Sequence, residues 1–208
     1  MRRVIVGVTA VVAMAACGGS SAPATSINGS IHGQSVQGRS ATSSAVTINT
    51  NGKSTNFAAI LISTDDNLCS ELSSGRQPKN LQATGLWLFD SNTSSGSLSL
   101  SAPVAAGDYQ VFIGSGTPPS KGAMIGYSQT DASCNRQPAL GAIASSGVVH
   151  LTGVNNGVYS GSFDITVAET DSTGAATSTT DHWTGSFQPS PCPGLNAAFF
   201  NQTPLTCF

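Results

Sequence analysis

Between Gly147 and Gln188 the chain alternates apolar and polar residues with period two. From Tyr159 to Val167 the odd positions read Tyr, Gly, Phe, Ile, Val, and the even positions Ser160, Ser162, Asp164 and Thr166 are polar. Residues i, i+2 and i+4 of a strand share one face, so this pattern predicts a half-buried strand. The phrase aromatic-x-Gly-Ser-Phe occurs twice, as Tyr159/Gly161/Phe163 and Trp183/Gly185/Phe187. Each copy places a large aromatic, a glycine and a phenylalanine on one side, which predicts two similar strands of one sheet. Gly161 and Gly185 leave gaps that a neighbouring side chain can fill.

The preceding segment, Val148 to Val154, predicts the partner strand of a hairpin. An Asn156-Gly157 turn of two residues would set His150 beside Phe163 on the inner face. A three-residue Asn155-Asn156-Gly157 loop would set Val149 opposite Phe163 and Leu151 opposite Gly161. A one-residue slip exchanges the faces, and burying an unpartnered histidine is unfavourable. The three-residue loop, with His150 outside, is the expected arrangement.

Elsewhere, short strands are expected at Ile27–Ile31, Ser35–Gly38 and Ala45–Asn49, with Asn51-Gly52 as a hairpin turn. Phe57–Ile62 is apolar throughout and reads as a strand buried on both faces. Asp65 to Gly75 breaks the pattern: Leu68 and Leu72 are four apart, Asp65 or Asp66 can cap, and Gly75 can terminate, so one short helix is expected there. Strands follow at Leu81–Phe89, Ser97–Ser101, Asp108–Ile113 and Ala123–Gln129. Polar turns or loops are expected at Asp90–Gly96, Thr130–Ser146 and Ser172–Thr180, and Asn196–Phe200 reads as an edge strand. Many short strands with frequent turn residues predict an all-β fold, an antiparallel β-sandwich or open barrel with one short helix near Asp65–Gly75.

Composition narrows the function. Only 9% of the 208 residues are charged, against about 25% in an average soluble protein. Ser, Thr, Gly and Asn supply the polarity, which suits strands and turns of an extracytoplasmic β protein. After the first sixteen residues the chain holds ten acidic and six basic residues, four negative charges in excess. No basic run offers phosphate contacts, so nucleic acid is not an expected partner.

Arg2 and Arg3 precede a short apolar run, Val4 to Ala13, followed by Met14-Ala15-Ala16-Cys17-Gly18-Gly19-Ser20-Ser21. The run is too short for a permanent membrane helix. This segment resembles the bacterial lipobox signal, with Met14 where Leu is commonest. The resemblance implies cleavage before Cys17, acylation of its thiol and amine, and membrane anchorage through the acyl chains. Gly18, rather than Asp, then points to the outer membrane. The expected organisation is a signal peptide over 1–16, lipidated Cys17 with a flexible tether over 17–25, and one all-β domain over 26–208.

The lipobox, the Gly107-x-Tyr109 strand start and the paired Gly-x-Phe strands leading to Cys192 together resemble small Gly/Ser-rich bacterial lipoproteins. That resemblance concerns architecture and export and implies no activity. Cys69, Cys134, Cys192 and Cys207 form an even set in an exported chain, so two disulfides are expected. The pairing expected from the short Pro/Gly-containing tail is Cys192 with Cys207, leaving Cys69 with Cys134.

Catalytic signals are sparse. There is no Gly-x-Ser-x-Gly elbow, and Asp181 and His182, as strand neighbours, point to opposite faces. His150 and His182, with Asp164 nearby, are the weak candidates for a metal site if their strands pair; no metal or other cofactor is expected. Asp65-Asp66-Asn67 and the Asp90–Gly96 segment are oxygen-rich but read as Asx turns rather than calcium loops. Trp87, Trp183, Tyr109, Tyr127 and Tyr159 are the pool of aromatics for a carbohydrate or peptide ligand, of which Trp183 and Tyr159 read as core by alternation. The expected role is non-catalytic: a lipid-anchored envelope protein that binds an envelope ligand or protein, or serves structurally. The competing expectations are a carrier with an apolar cavity inside a β-barrel and, less favoured, a hydrolase.

Overall fold

The computed structural model describes residues 25–50, 53–94, 97–114, 117–195 and 205–208. Cys17, the leader, the Asn51-Gly52 turn and the Asn196–Phe200 strand therefore lie wholly or largely outside the described residues. In chain order the elements are β1 (Ser26–Asn28), β2 (Ser30–Ile31), β3 (Gln34–Ser35), β4 (Ser40–Thr50), β5 (Lys53–Ser63), α1 (Leu68–Ser73), β6 (Arg76–Gln77) and β7 (Gln82–Ser94). There follow β8 (Ser97–Ala102), β9 (Gly107–Val111), β10 (Lys121–Gln129), a 3-10 turn at Pro138–Leu140, β11 (Ala142–Asn155), β12 (Val158–Thr170), β13 (Ala176–Phe187), β14 (Ser190–Pro191) and β15 (Thr206–Cys207).

Eleven of these strands form one sheet in the order β1-β13-β12-β11-β9-β10-β7-β5-β4-β14, with β8 added on β7. The all-β class with one short helix is as the alternation predicts. The sheet is mixed rather than purely antiparallel: β9 runs parallel to β10, and β14 parallel to β4. It curls without closing. The Ser43 hydroxyl of β4 donates to Gly157 O at 2.9 Å and accepts from the Tyr159 N–H at 3.3 Å. β4, next to one end of the sheet, thus meets the start of β12, the third strand from the other end.

The inner face holds the main core, including Ile60, Ile62, Leu86, Leu88, Ile125, Val149, Phe163, Ile165, Trp183 and Phe187. Tyr159, Phe163, Trp183 and Phe187 are all buried, while Ser160 and Ser162 are half-buried and Asp164 is exposed. The duplicated phrases interlock. Phe163 lies opposite Gly185, and Phe187 opposite Gly161. A Cβ at Gly185 would overlap the Phe163 ring, and one at Gly161 would overlap the His150 carbonyl and press on the Phe187 ring. Each phenylalanine therefore fills the gap left by the other strand's glycine.

The register at this hairpin is the expected one, with Val149 opposite Phe163 and Leu151 opposite Gly161, but the turn is not. Asn155 pairs with Val158, and Asn156 and Gly157 both have positive φ, 49° and 81°. That is a two-residue turn of the Asn-Gly type. A bulge between Leu151 and Gly153 inserts the extra residue and restores the faces, so His150 stays outside.

Other boundaries differ from expectation. β7 continues to Ser94 through the expected polar turn, β11 starts at Ala142 within the expected loop, and β13 takes in Ala176–Thr180, a Ser/Thr-rich run read as loop. Pairing against β12 and β7 decides these cases; β-branched threonine suits a strand once a partner is present. The helix N-cap is Asn67 without a side-chain bond; Asp65 instead accepts the Asn67 N–H at 2.7 Å. Gly75, at φ 70°, terminates the helix.

Tyr109 anchors the start of β9. Its hydroxyl lies 2.5 Å from Ala105 O and 2.6 Å from Asp90 Oδ1, and accepts the Ala105 N–H at 3.1 Å. Lys121 Nζ contacts the hydroxyl at 3.1 Å and Asp90 Oδ2 at 2.8 Å. Burial, reinforced by the Asp90 carboxylate, pushes this phenol far above its ordinary range. The bond back to residue i−4 resembles the tyrosine corner of β-sandwiches. At the sheet edge, Asp181 accepts the Ser30 N–H and hydroxyl at 2.7 and 2.8 Å, which holds its carboxyl below the usual range. Trp183 lies where a Cβ at Gly29 would be.

The interlock makes a stability prediction. Phe163→Ala should destabilise by roughly 3–5 kcal/mol, and Gly185→Ala by roughly 1–3 kcal/mol, because the ring has nowhere to move. Asp164→Ala should stay within about 0.5 kcal/mol. Chemical denaturation of the three variants checks the ranking; a Gly185→Ala protein as stable as the parent would contradict the interlock.

Candidate functional site

The outer face of the sheet divides into two regions. Over β9, β11, β12 and β13 it is polar. Here the structure pairs the predicted metal candidates rather than gathering them. His182 Nε2 lies 2.7 Å from Asp164 Oδ1, and His150 Nδ1 lies 2.8 Å from Asp108 Oδ1. All four side chains stand largely in solvent. Among the described residues no three His, Cys, Asp or Glu side chains converge as a metal site. Asp108, His150 and Ser162 form a row across three strands, yet no hydrogen bond joins Ser162 to the His150 ring among the described residues.

His32, the third histidine, is part of a clamp. Its backbone N–H donates to Glu169 at 2.6 Å, and its ring nitrogens lie 3.0 Å from Glu169 and 2.8 Å from Ala139 O. These bonds fix the β2–β3 hairpin over the end of the core.

Over β5, β7 and β10 the outer face is covered. The continuous apolar run in β5 is buried on both sides, as its sequence predicts: Ala58, Ile60 and Ile62 face the main core, while Ala59 and Leu61 join a second cluster with Leu68, Leu72, Ala83, Cys192 and Leu195. The covering layer consists of α1, the β6 loop and the C-terminal tail. Two disulfides fasten it, Cys69–Cys192 and Cys134–Cys207. The expected pairing of neighbours in sequence is thus wrong. The tail does not close on itself; it crosses α1 and then pairs through β15 with β6, meeting one distant cysteine at each place. The linked residues are 123 and 73 positions apart, so each bridge, taken singly, restricts the unfolded chain by about 4–5 kcal/mol in the chain-entropy picture.

Between this layer and the sheet lies a partly open cavity of about 530 Å³. A registered row across four strands runs along its floor: Leu61 opposite Gly85, Gly85 opposite Gly126, and Gly126 opposite Ile143. Ala59 and Ala83 extend the floor, Trp87, Leu68 and Leu195 help to wall it, and Gln77, Ser128, Thr130 and Arg136 supply its polar lining. Of the five aromatics, Trp87 stands on the outer face beside this cavity. Tyr127 also lines the cavity but packs edge-on against Trp183, their centroids 5.7 Å apart. Burial pushes its phenol up to about 12.

The two floor glycines differ from the others in the sheet. At Gly29, Gly122, Gly161 and Gly185 an added Cβ would overlap a neighbour. At Gly85 its nearest neighbour would be Trp87 Nε1 at 3.5 Å, and at Gly126 only Ala142 O at 3.8 Å. Both are ordinary contacts, so packing does not require glycine at either place. Glycine within a strand is unfavourable for the fold; what the pair provides is open space above bare backbone. In the sequence these glycines look the same as Gly161 and Gly185, and only the strand register separates them.

Comparison with protein-family models, with curated proteins and with solved structures found no match.

The disulfide assignment is directly checkable. Non-reducing peptide mapping of the intact protein should recover Cys69 joined to Cys192 and Cys134 joined to Cys207. A peptide linking Cys192 to Cys207 would mean that the tail does not form this layer.

Proposed function

We propose that this chain is an exported, lipid-anchored binding protein of the bacterial envelope, held at the membrane through Cys17, and that the cavity over Gly85 and Gly126 is its ligand site. The observation that carries the binding part is a cavity of about 530 Å³ above a sheet whose inner core is filled. That volume lies in the range of small-molecule sites, about 300–1,000 Å³, and its mostly apolar lining with a few polar groups is what such sites use. The carrier idea thereby moves from the inside of a barrel to the outside of the sheet. Water in the cavity finds few partners on Leu61, Leu68, Ala59 and Ile143, so an apolar ligand that displaces it gains free energy.

The exported and anchored part rests on the lipobox resemblance and agrees with a domain that relies on two disulfides. Chain fractionation tests it. Cys17→Ser should shift the protein from the membrane fraction to the soluble fraction or leave the precursor uncleaved; normal processing and unchanged detergent dependence would remove the anchor.

Binding is tested with a neutral apolar fluorophore, phenylnaphthylamine, added to the purified full chain. Its emission should rise and saturate. Gly126→Leu, which fits sterically at its Cβ and fills the floor, should abolish that rise with stability changed by no more than about 1 kcal/mol. Equal binding by the filled variant would assign the dye, and the function, to another surface.

A further inference from the structure

We propose that the ligand of this cavity is an amphiphilic anion: a flat apolar body lying on the Gly85/Gly126 floor, with one anionic group, a carboxylate or sulfonate, held at the rim by Arg136. This rests on the cavity being a ligand site and adds the class of ligand.

The body follows from the floor and walls. Gly85 and Gly126 face each other on adjacent strands, which lie about 4.8 Å apart. Two absent side chains leave a flat strip of backbone there. Trp87, whose indole nitrogen would be the nearest neighbour of a Cβ at Gly85, stands beside the strip. Flat backbone next to an indole suits a planar ring system, which gains dispersion contact across its whole face. At about 30 Å³ per molecule the cavity has room for roughly 15–20 waters, space enough for a fused-ring compound or a short acyl chain.

The head group follows from charge. Arg136 lines the cavity and its side chain is exposed. Among the described residues no carboxylate lies within ion-pair distance of it. The nearest acid in sequence, Asp131, is occupied within its own loop: it accepts the Ser133 and Asn135 N–H groups at 2.8 and 2.9 Å and the Gln137 amide at 3.1 Å. The Asn135 and Ser133 N–H groups hold its carboxyl below the usual range. The same loop is tied down by a bridge between Thr130 and Arg136 and by the Cys134–Cys207 disulfide, so Arg136 emanates from a fixed backbone. The adjoining loop, bonded to it through Asn80 N–H to Asp131 O at 3.0 Å, carries Lys79; Arg76, in β6 before it, is already paired with Glu71 at 3.4 Å and stacked on the Phe208 ring. Arg136 and Lys79, two of the six basic residues beyond the leader, thus stand at this end of a chain with a net negative charge. An anionic head entering here meets a guanidinium that can bind it through two parallel hydrogen bonds.

A matched pair of probes tests the class. Anilinonaphthalene sulfonate is phenylnaphthylamine with a sulfonate added, so the two differ by the anionic head alone. The full chain should bind the sulfonate at least about tenfold more tightly than the neutral compound, and that advantage should shrink as salt is raised. Arg136→Gln should remove the advantage and leave the neutral probe unchanged; Arg136→Lys should restore part of it. Equal affinity for both probes, or an unchanged sulfonate affinity in Arg136→Gln, would overturn the anionic head while leaving the cavity as a site. Failure of both probes to respond to Gly126→Leu would overturn the site itself. Binding that appears only when Phe199 and Phe200 are replaced by Ser would assign the cavity to the chain's own tail and would overturn both.

Discussion

The fold depends on the reciprocal fit of two phenylalanines into two glycine gaps. Phe163 over Gly185 and Phe187 over Gly161 allow only one alignment of β12 against β13. A slip of one residue would send the two rings to opposite faces of the sheet, and a slip of two would take each ring off its glycine. With that pair fixed, Trp183 must lie inward, and its indole then requires Gly29 in the link between β1 and β2 that crosses it. The indole N–H reaches Ser30 O at 3.1 Å, and Asp181, two residues earlier on the same face of β13, takes the Ser30 N–H. One steric fit thereby sets the edge of the sheet as well as its centre.

The opposite half of the sheet has a different problem. β5 and β7 are apolar on both faces, so the outer face needs a cover. A chain this rich in Ser, Thr and Gly has little helix-forming sequence from which to build one. The cover is therefore thin: a six-residue helix, a two-stranded β6–β15 ribbon and a tail. Such a layer buries too little to hold itself down, and the two long-range disulfides supply what burial does not. A thin layer bridging four strands also leaves space beneath it wherever the floor side chains are small. Ala59, Ala83, Gly85 and Gly126 are the small residues, and the cavity lies over them.

What the sequence disclosed follows from this division. Strict alternation around Tyr159 and Trp183 made the inner and outer faces legible residue by residue, and the unbroken apolar run of β5 announced a second buried face. The register of the β11–β12 hairpin was legible from the disadvantage of burying His150, although the turn was not: a bulge at Thr152 absorbs the residue that a three-residue loop would have supplied. The disulfide pairing was illegible because sequence proximity of Cys192 and Cys207 says nothing about a tail that runs across the molecule. The strand at Ala176–Thr180 was hidden because threonine and serine serve loops and edge strands alike. The cavity floor was hidden for a related reason. Glycine in a strand has one appearance in sequence and two physical meanings, a gap filled by a ring or a gap left open, and the partner strand alone distinguishes them.

The same distinction separates the two polar candidates on the outer face. The His150–Asp108 and His182–Asp164 pairs sit on an open surface where water competes for every donor and acceptor. Exposed pairs of that kind contribute little to stability and select weakly among ligands. Arg136 has the same elementary charge in a different setting. It stands at the mouth of an apolar cavity, where a bound body would exclude water from one side and strengthen the field on the other. The acid nearest to it in sequence is already engaged by backbone N–H groups, and among the described residues Arg136 has no ion pair for an anion to break. A charge without a partner beside a space without a filling side chain is a pair of local disadvantages for the folded chain alone. Each becomes favourable with the same occupant, and that coincidence is the physical argument for a ligand at this place rather than at the histidines.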